Sequence, residues 1–329
     1  MKKRIAFYSF QMGLRGTEVT MYDFAHYNET ILGNESVIIY PKNNPRNHNS
    51  AIEKFSKRFD KIFTIEGEGE SDPKSINEQL NILLKNTNCS HLKKKKKGIN
   101  DNIFPTVCRT LILCCGIVDP FVNKHGDKYA FISQWLSDVC SGGKIPVVPS
   151  IVDLPNIDED FRNELKIPKD AIVLGRTGGE DTWNIPWTND VIKFVLNKRP
   201  NIYFLFQNTP KFYQHERLIN IPCSANLEFK VKFINTADAM LHSRQEGESF
   251  GVTCGEFSLR NKQIITYGHS PERNHINILG DKAIYFYSQS DLAKILMNYV
   301  PDKSKDYNCY RQFNPIDVMK KFNEVFLHE

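Results

Sequence analysis

Arg244-Gln-Glu-Gly-Glu248-Ser-Phe-Gly251-Val-Thr-Cys-Gly-Glu256 carries two glutamates, Glu248 and Glu256, on either side of a Ser-Phe-Gly turn. The run from Thr253 to Leu259 predicts a helix that begins just after this turn. Such a turn exposes backbone N–H groups and a helix N-terminus, which together attract an anion. Carboxylates on either side accept hydrogen bonds from hydroxyl groups. The combination indicates a nucleotide sugar; the alternative is an acidic loop followed by an amphipathic helix.

The segment resembles the Glu-seven-residues-Glu element of retaining glycosyltransferases with the GT-B fold, especially family four. That family commonly has Glu-Gly-Phe-Gly and then a second Glu, and here only Ser249 departs from the pattern. The resemblance implies that Glu248 contacts the donor sugar and that Glu256 holds the ribose hydroxyls. It assigns the donor diphosphate to the turn formed by Ser249, Phe250, Gly251 and Val252.

A second stretch, Gly175-Arg-Thr-Gly-Gly179, follows a predicted strand. Family four places an Arg here and a Lys five residues later, and both neutralise the donor diphosphate. Arg176 fits the first position, whereas Asp181 occupies the second, so we expect Arg244 to supply the missing positive charge. Backbone amides of the glycine loop can share this task, and the donor-binding residues expected here are Thr177, Gly178 and Gly179. The alternative for Arg176 is a surface salt bridge.

A third stretch, Gly13-Leu-Arg-Gly-Thr-Glu18, follows the first predicted strand and opens the first helix. It lacks the Gly-x-Gly-x-x-Gly spacing, which excludes a nicotinamide or flavin fingerprint. A similar loop in GT-B enzymes lies beside the donor phosphates and the acceptor. The resemblance therefore implies binding roles for Gly13, Arg15 and Gly16, and the alternative is an ordinary strand-to-helix turn.

Three other residues are candidates because of their place between predicted elements. His125 lies in the loop before the strand predicted at Tyr129 to Ile132, and we interpret this loop as facing the ligand cleft, where His125 donates a hydrogen bond to sugar or phosphate. The alternative is a loop or capping residue. Asn208 and Thr209 end the strand predicted at Ile202 to Phe206, so we expect them to contact the nucleotide base.

The run Lys93 to Lys97 is the most concentrated charge in the chain. Five cations indicate phosphate attraction, either by nucleic acid or by an anionic membrane. The run is short and has no interleaved aromatic residues, which argues against nucleic acid. We therefore favour a solvated edge, or a short strand in which alternate Lys side chains point away, and we predict no nucleic-acid partner.

Strand and helix signals alternate along the 329 residues, and this alternation predicts right-handed crossovers and parallel sheets. The expected fold class is α/β, with two Rossmann-like doubly wound domains facing a cleft, as in GT-B enzymes. We place an acceptor domain at 1–155, where prolines and charges then interrupt the pattern, and a nucleotide-sugar domain at 156–312. By resemblance, a helix at 313–329 crosses back to the first domain.

Composition indicates a globular protein, with 40% hydrophobic and 25% charged residues and a formal net charge of +5. The eight cysteines contain no Cys-x-x-Cys pair and no accompanying His cluster, so we expect neither metal nor cofactor. Unpaired cysteines, and an N-terminus with too few apolar residues for a signal peptide or a membrane span, predict a cytoplasmic protein.

The sequence hypothesis is a metal-independent, retaining glycosyltransferase. Its donor is a nucleotide diphosphate sugar, and its acceptor is a glycan or a small molecule. Two alternatives stay open, a GT-B sugar-nucleotide epimerase and a non-catalytic protein that binds nucleotide sugars or glycans. The base, the sugar, the linkage and the oligomeric state are not determined by these motifs.

Overall fold

The structure is a computed structural model that describes residues 2–13, 16–67, 72–123, 125–224 and 226–328. The chain forms two compact units. Unit 1 comprises Met1–Ile151 and Phe313–Glu329, and unit 2 comprises Val152–Gln312. The sequence had placed the division after residue 155. The last segment of the chain thus belongs to unit 1, although it follows unit 2 in sequence.

Parallel strands make up both sheets, and helices fill the connections between them. The strands are β1 Arg4–Tyr8, β2 Glu35–Pro41, β3 Ile62–Ile65, β4 His91–Lys96, β5 Arg109–Cys114, β6 Lys128–Phe131, β7 Ile172–Arg176, β8 Ile202–Gln207, β9 Leu218–Ile221, β10 Ala239–His242, β11 Gly247–Glu248, β12 Gln263–Tyr267, β13 Glu272–Arg273 and β14 Ile284–Phe286. The helices are α1 Gly16–Thr30, α2 Asn49–Ser56, α3 Pro73–Asn86, α4 Gln134–Ser141, α5 Trp187–Lys198, α6 Leu227–Thr236, α7 Val252–Leu259, α8 Asn274–Leu279, α9 Gln289–Asn298 and α10 Pro315–Phe322.

The two large sheets have the same topology. The order is β3-β2-β1-β4-β5-β6 in unit 1 and β14-β12-β10-β7-β8-β9 in unit 2. When the strands of the second sheet are counted within unit 2, both orders are 3-2-1-4-5-6, the Rossmann arrangement. This confirms the predicted α/β fold class with two doubly wound domains. The short strands β11 and β13 form a separate parallel pair in unit 2.

Local sequence explains why the elements begin where they do and which faces they bury. Asp72, Ser133 and Asn226 each precede a helix and accept a hydrogen bond from a backbone N–H in its first turn. β8 is almost continuously apolar, as a strand covered on both faces should be. Side chains of β8, such as Phe204, pack into a core with α5 and α9. The core therefore holds the sheet in place. The polar loops follow the carboxyl ends of the strands of this sheet.

The lysine run is the main difference from the sequence interpretation of the fold. It forms β4, a central strand between β1 and β5, and not a solvated edge. Lys93, Lys94 and Lys96 are buried, at 1%, 3% and 8% exposure. Alternation along the strand does send successive side chains to opposite faces, but both faces are covered by protein. The run thus forms a strand, as one of the two alternatives predicted, and Lys97 is exposed. The expectation of solvent contact is wrong for Lys93, Lys94 and Lys96.

The C-terminal segment packs into unit 1 through aromatic side chains. Phe322 and Phe326 are fully buried, and Phe322 contacts Phe24 of α1 with ring centroids 5.2 Å apart. None of the helices in the described part of the chain combines the length and the apolar character that crossing a membrane requires.

Candidate functional site

The candidate site lies at the carboxyl edge of the unit 2 sheet. β7 and β10 are neighbours in this sheet, but β7 leads on to β8 on one side and β10 leads to β12 on the other. Such a switch point is where open α/β sheets bind ligands, because the loops diverge and leave a crevice. The loop after β7 begins at Thr177, and the loop after β10 contains Glu248.

Glu248 is held as an anion by two basic neighbours. Its Oε1 accepts a hydrogen bond from Arg244 Nη1 at 2.9 Å and from His242 Nε2 at 3.3 Å. Burial alone would raise the pKa of this carboxyl, but the His242 hydrogen bond and the Arg244 charge lower it to about 2. The side chain is 22% exposed. Glu248 is therefore an ionised, partly accessible carboxylate at neutral pH.

Two histidines continue this network into the interior. His242 Nδ1 lies 2.8 Å from the Thr266 hydroxyl, which also lies 3.2 Å from His275 Nε2. The two imidazole rings meet edge to face, with centroids 5.1 Å apart. Burial and the nearby His242 lower the pKa of His275 to about 3, so this ring is neutral. The network fixes the orientation of His242 and, through it, of Glu248.

The turn after Glu248 places the N-terminus of α7 at the site. Gly251 is the N-cap residue with φ +86°, a left-handed conformation that favours glycine. Gly251 has no side chain that could cap the helix, and a helix N-terminus of this kind attracts an anion. The Phe250 carbonyl accepts hydrogen bonds from Asn274 Nδ2 and from the Tyr310 hydroxyl, and Val252 is the first helical residue. The Ser249 backbone amide bonds the Glu272 carboxylate, whose pKa burial raises.

Glu256 lies one helical turn further along α7 and is only 4% exposed. Its Oε1 accepts a hydrogen bond from Lys230 Nζ of α6 at 2.7 Å. Its Oε2 is buried and has no hydrogen-bond partner among the described residues. A buried carboxylate oxygen without a donor costs about 1–3 kcal/mol or more. This atom is suited to accept a hydrogen bond from a ligand hydroxyl.

Arg176, predicted to neutralise the diphosphate, is directed at the protein itself. The side chain is 2% exposed. Its Nη1 donates to the carbonyl of Asn208 at 2.7 Å and to Thr209 Oγ1 at 2.7 Å, and its Nη2 donates to the carbonyl of Gly179 at 2.8 Å and to Thr182 Oγ1 at 2.9 Å. Burial lowers its pKa to about 10, still charged at neutral pH. Arg176 therefore ties the loops after β7 and β8 together.

The other residues of the β7 loop surround this guanidinium. The Thr177 hydroxyl donates to Gln207 Oε1 at 3.0 Å. Gly178 accepts from Asn208 Nδ2 at 2.7 Å, and a side chain at Gly179 would crowd Asp181. Asp181 lies close enough to Arg176 for its charge to raise the arginine pKa. The position at which family four has Lys thus carries a negative charge beside the loop.

A cavity of about 390 Å³ opens beside these loops, at the carboxyl ends of β8 and β9. Its lining combines polar and apolar groups and includes two of the sequence candidates, Asn208 and Thr209; the full set is Glu180, Asn208, Thr209, Lys211, Asn220, Ile221, Pro222 and Cys223. Asn208 adopts φ +51°, a conformation that Asn tolerates better than most residues. The cavity is large enough for a heterocyclic base.

The remaining candidates lie in unit 1 and come from two separate loops. Gly13 is buried after β1 and Gly16 begins α1, whereas Arg15 lies outside the described residues. His125 is buried at 6% exposure and precedes β6. The Asp127 amide donates to the Thr110 carbonyl, and the Thr110 amide donates to Asp127, which ties this loop to the amino end of β5. The loop thus enters β6 at its amino end, while Gly126 packs over Ile112 in the middle of β5. A binding role for His125 stays a prediction.

Comparison with solved structures identifies the fold. No protein-family model matches the chain, and no curated protein matches it. A glycosyltransferase from Rickettsia africae ESF-5 superimposes with a TM-score of 0.72 at 15% identity, with 100% of both chains covered. Anabaena Alr3699/HepE, solved in complex with UDP and glucose, gives a TM-score of 0.72 at 10% identity over 99% of both chains. The chain has the GT-B fold. At these identities the likeness concerns the fold alone.

The same GT-B fold also occurs in a protein described as an epimerase. A putative UDP-N-acetylglucosamine 2-epimerase from Listeria monocytogenes gives a TM-score of 0.64 at 13% identity, covering 99% of this chain and 95% of that one. The fold is thus shared by transferases and epimerases, and the choice between them rests on the site.

Sequence reasoning missed the partners that complete the site. Lys230, Thr266 and His275 had not been singled out. Each comes from a different element and reaches Glu248 or Glu256 only through the fold. His242 carried the one available signal, since it ends the strand just before the motif. Within the described ranges, no group of three or more His, Cys, Asp and Glu side chains could hold a metal ion.

Proposed function

We propose that the protein is a retaining glycosyltransferase that takes a sugar from a nucleotide diphosphate sugar bound by unit 2. The acceptor, a glycan or a small molecule, is assigned to unit 1. The observation that supports this proposal most directly is the buried Glu256 carboxylate, whose Oε2 has no hydrogen-bond partner among the described residues. It lies one turn from the N-terminus of α7. An anion at the helix end and a hydroxyl at Glu256 are both supplied by a ribose linked to a diphosphate.

The remainder of the donor fits the neighbouring groups. The cavity lined by Asn208 and Thr209 accepts the base, because amide and hydroxyl groups pair with the edges of a heterocycle. Lys211 of the same cavity and the α7 amides offset the phosphate charge. Arg176 contributes indirectly, by holding the Gly179 and Asn208 loops in place.

In the proposed reaction an acceptor hydroxyl oxygen forms a bond to the anomeric carbon while the bond from that carbon to the diphosphate oxygen breaks. The hydroxyl proton passes to the leaving diphosphate, so no added oxidant or reductant is needed. Glu248, ionised at neutral pH, hydrogen-bonds the sugar hydroxyls and stabilises positive charge that develops on the sugar. The spacing between Glu248 and Glu256 resembles that of the retaining family. This resemblance favours retention of configuration at the anomeric carbon.

The first test measures nucleotide binding by calorimetry. UDP titrated into the wild type is expected to bind saturably, and Glu256→Gln is expected to weaken that binding at least tenfold, because the neutral amide is a poorer hydrogen-bond acceptor than the carboxylate. Glu246→Gln is the matched control, since Glu246 is 52% exposed and bonds Asn184 instead. Equal UDP affinity in all three proteins would remove the ribose assignment.

A second measurement separates the candidate activities. Incubation with UDP-, GDP- and ADP-sugars is followed by chromatography of nucleotide and sugar products. Release of free nucleotide that an acceptor accelerates supports the transferase. Interconversion of epimeric sugar nucleotides without that release would establish an epimerase, and tight binding with no conversion would establish a binding protein. A protein described as an epimerase shares the fold, so the fold does not choose between the activities. This assay distinguishes a transferase from an epimerase.

A further inference from the structure

The cavity at the carboxyl ends of β8 and β9 carries an acidic side chain that has no partner in the described part of the chain. Among the described residues that line this cavity, Glu180 is the one that bears a carboxylate. It opens a short 3₁₀ turn, Glu180–Thr182, in the loop after β7 and is exposed. Its side chain forms no hydrogen bond or ion pair with another described residue, Lys211 of the same cavity included. The carboxylate is therefore free to accept hydrogen bonds from a ligand.

The neutral polar side chains of the cavity wall are largely engaged within the protein. Asn208 Nδ2 donates to a carbonyl of the loop after β7 at 2.7 Å. The Thr209 hydroxyl donates to the carbonyl of the last residue of β8 at 3.0 Å. Asn220 Nδ2 lies 3.5 Å from the Thr209 carbonyl and keeps a second N–H. The wall thus offers a base an acceptor group at Glu180 and a donor group at Asn220.

Nucleobases differ in the hydrogen bonds that they make to a carboxylate. Guanine has two adjacent donors, N1–H and N2–H, beside the acceptor O6, so it can occupy both oxygens of one carboxylate. Uracil has a single donor, N3–H, between two carbonyl oxygens, and a carboxylate that accepts from N3–H repels these oxygens. Adenine and cytosine each present one amino group beside an acceptor nitrogen. Guanine therefore makes one more hydrogen bond to a carboxylate than the other three bases do.

We propose that this cavity selects guanine, with the Glu180 carboxylate accepting from N1–H and N2–H and Asn220 Nδ2 donating to O6. The volume of about 390 Å³ accommodates a purine. This selectivity rests on the proposed function, which places the base of the donor in this cavity, and it narrows the donor to a GDP-sugar. UDP keeps the ribose and diphosphate contacts, so it still binds, but it lacks the paired hydrogen bonds to Glu180. Glu180 is thus a specificity-determining residue that takes no part in bond making.

The experiment titrates GDP, inosine diphosphate, UDP and ADP into the full chain by calorimetry. Inosine diphosphate is the most informative probe, because its base lacks only the 2-amino group of guanine. We expect GDP to bind at least tenfold more tightly than each of the other three, as a two-point contact to a base allows. Equal affinities for GDP and inosine diphosphate would show that N2–H makes no contact, and would overturn the proposal.

Glu180→Gln is the diagnostic variant, because its amide replaces one of the two acceptor oxygens with a donor. It should weaken GDP at least tenfold and leave the UDP affinity unchanged, so that the preference for GDP over inosine diphosphate disappears. Asp181→Asn is the matched control, since it removes one negative charge from the same loop and Asp181 is not part of the cavity lining. This control should shift all four affinities by the same factor. A preference for GDP that survives Glu180→Gln overturns the assignment.

The same titrations separate base selection from donor binding as such. Glu256→Gln should weaken GDP and UDP alike, because both carry the ribose, whereas Glu180→Gln acts on GDP. Saturable UDP binding without a preference for GDP overturns the guanine assignment and leaves the donor site standing, and so does a preference for ADP. Absence of binding by all four nucleotides overturns both proposals. Circular dichroism establishes that each variant is folded, as expected for substitutions at exposed positions such as Glu180.

Discussion

At the residue scale, Glu248 and Glu256 show what a short motif can and cannot predict. Their spacing was enough to place one carboxylate before a turn and the other inside the helix α7. The chemical state of each carboxylate depends on residues far away in sequence. Lys230 reaches Glu256 from α6, and His275 of α8 lies beside His242. No local pattern encodes those meetings, because the fold alone brings the elements together.

The depressed pKa of Glu248 predicts a stability effect that depends on pH. Its folded-state pKa is about 2, against an ordinary value of 4.5, so the carboxylate stabilises the fold above pH 4.5 and loses that contribution as the pH falls toward 2. Glu248→Gln should lower the free energy of unfolding at pH 7. The gap between variant and wild type should shrink by about 1 kcal/mol at pH 4.

Urea denaturation at pH 7, 5 and 4 measures this gap. A gap that stays constant over the three values would show that the Arg244 and His242 contacts do not hold Glu248 ionised. Glu246→Gln, an exposed neighbour of the same sign, corrects for the general effect of removing one negative charge.

At the element scale, β4 shows why a charge run is a weak guide to exposure. A Lys side chain has a long apolar stem, and its neighbours in the sheet determine whether that stem is covered. The sequence around the run gives no sign that β1 and β5 lie on either side of it. Lys93 is consequently buried beneath Phe24, with Nζ 4.1 Å from the ring centroid and no hydrogen-bond partner among the described residues.

Replacing this lysine should stabilise the protein. Burial holds the pKa of Lys93 well below its usual range, so an amine that is protonated in the unfolded chain is disfavoured when it is buried. Lys93→Met keeps the unbranched stem and removes the amine. We expect a gain of about 1–3 kcal/mol in the free energy of unfolding at pH 7, measured by urea denaturation.

The pH series provides the check on this explanation. Between the lowered folded pKa and 10.5 the unfolded state binds the additional proton, so wild-type stability rises with pH and the advantage of Lys93→Met declines. Lys97→Met, at an exposed position, should change stability by less than about 0.5 kcal/mol. A loss of stability in Lys93→Met would mean that the contact with Phe24 outweighs the cost of burial.

At the scale of the whole molecule, the alternation of strands and helices was sufficient to predict two doubly wound domains. β8, β10 and β12 are short apolar runs separated by helices, and such runs specify parallel strands with little ambiguity. The alternation left out the helices α6 and α8, because their residues satisfy partners that only the tertiary structure supplies. The GT-B fold was predicted from a motif in unit 2 alone. The strand orders of both large sheets agree with that prediction.

The division of the chain makes a prediction about its last residues. Unit 1 is completed by Phe313–Glu329, and Phe322 is fully buried against Phe24 and Phe326, with centroids 5.2 Å and 5.4 Å apart. Phe322→Ala should therefore cost about 3–5 kcal/mol of unfolding free energy, while Ile316→Ala on the same helix, 68% exposed, should cost less than about 0.5 kcal/mol. The proposed donor site belongs wholly to unit 2, so calorimetry should find UDP affinity unchanged in Phe322→Ala at temperatures where the variant is folded. A parallel loss of UDP affinity and stability would mean that the donor site depends on the integrity of unit 1, and it would contradict the assignment of the nucleotide to unit 2 alone.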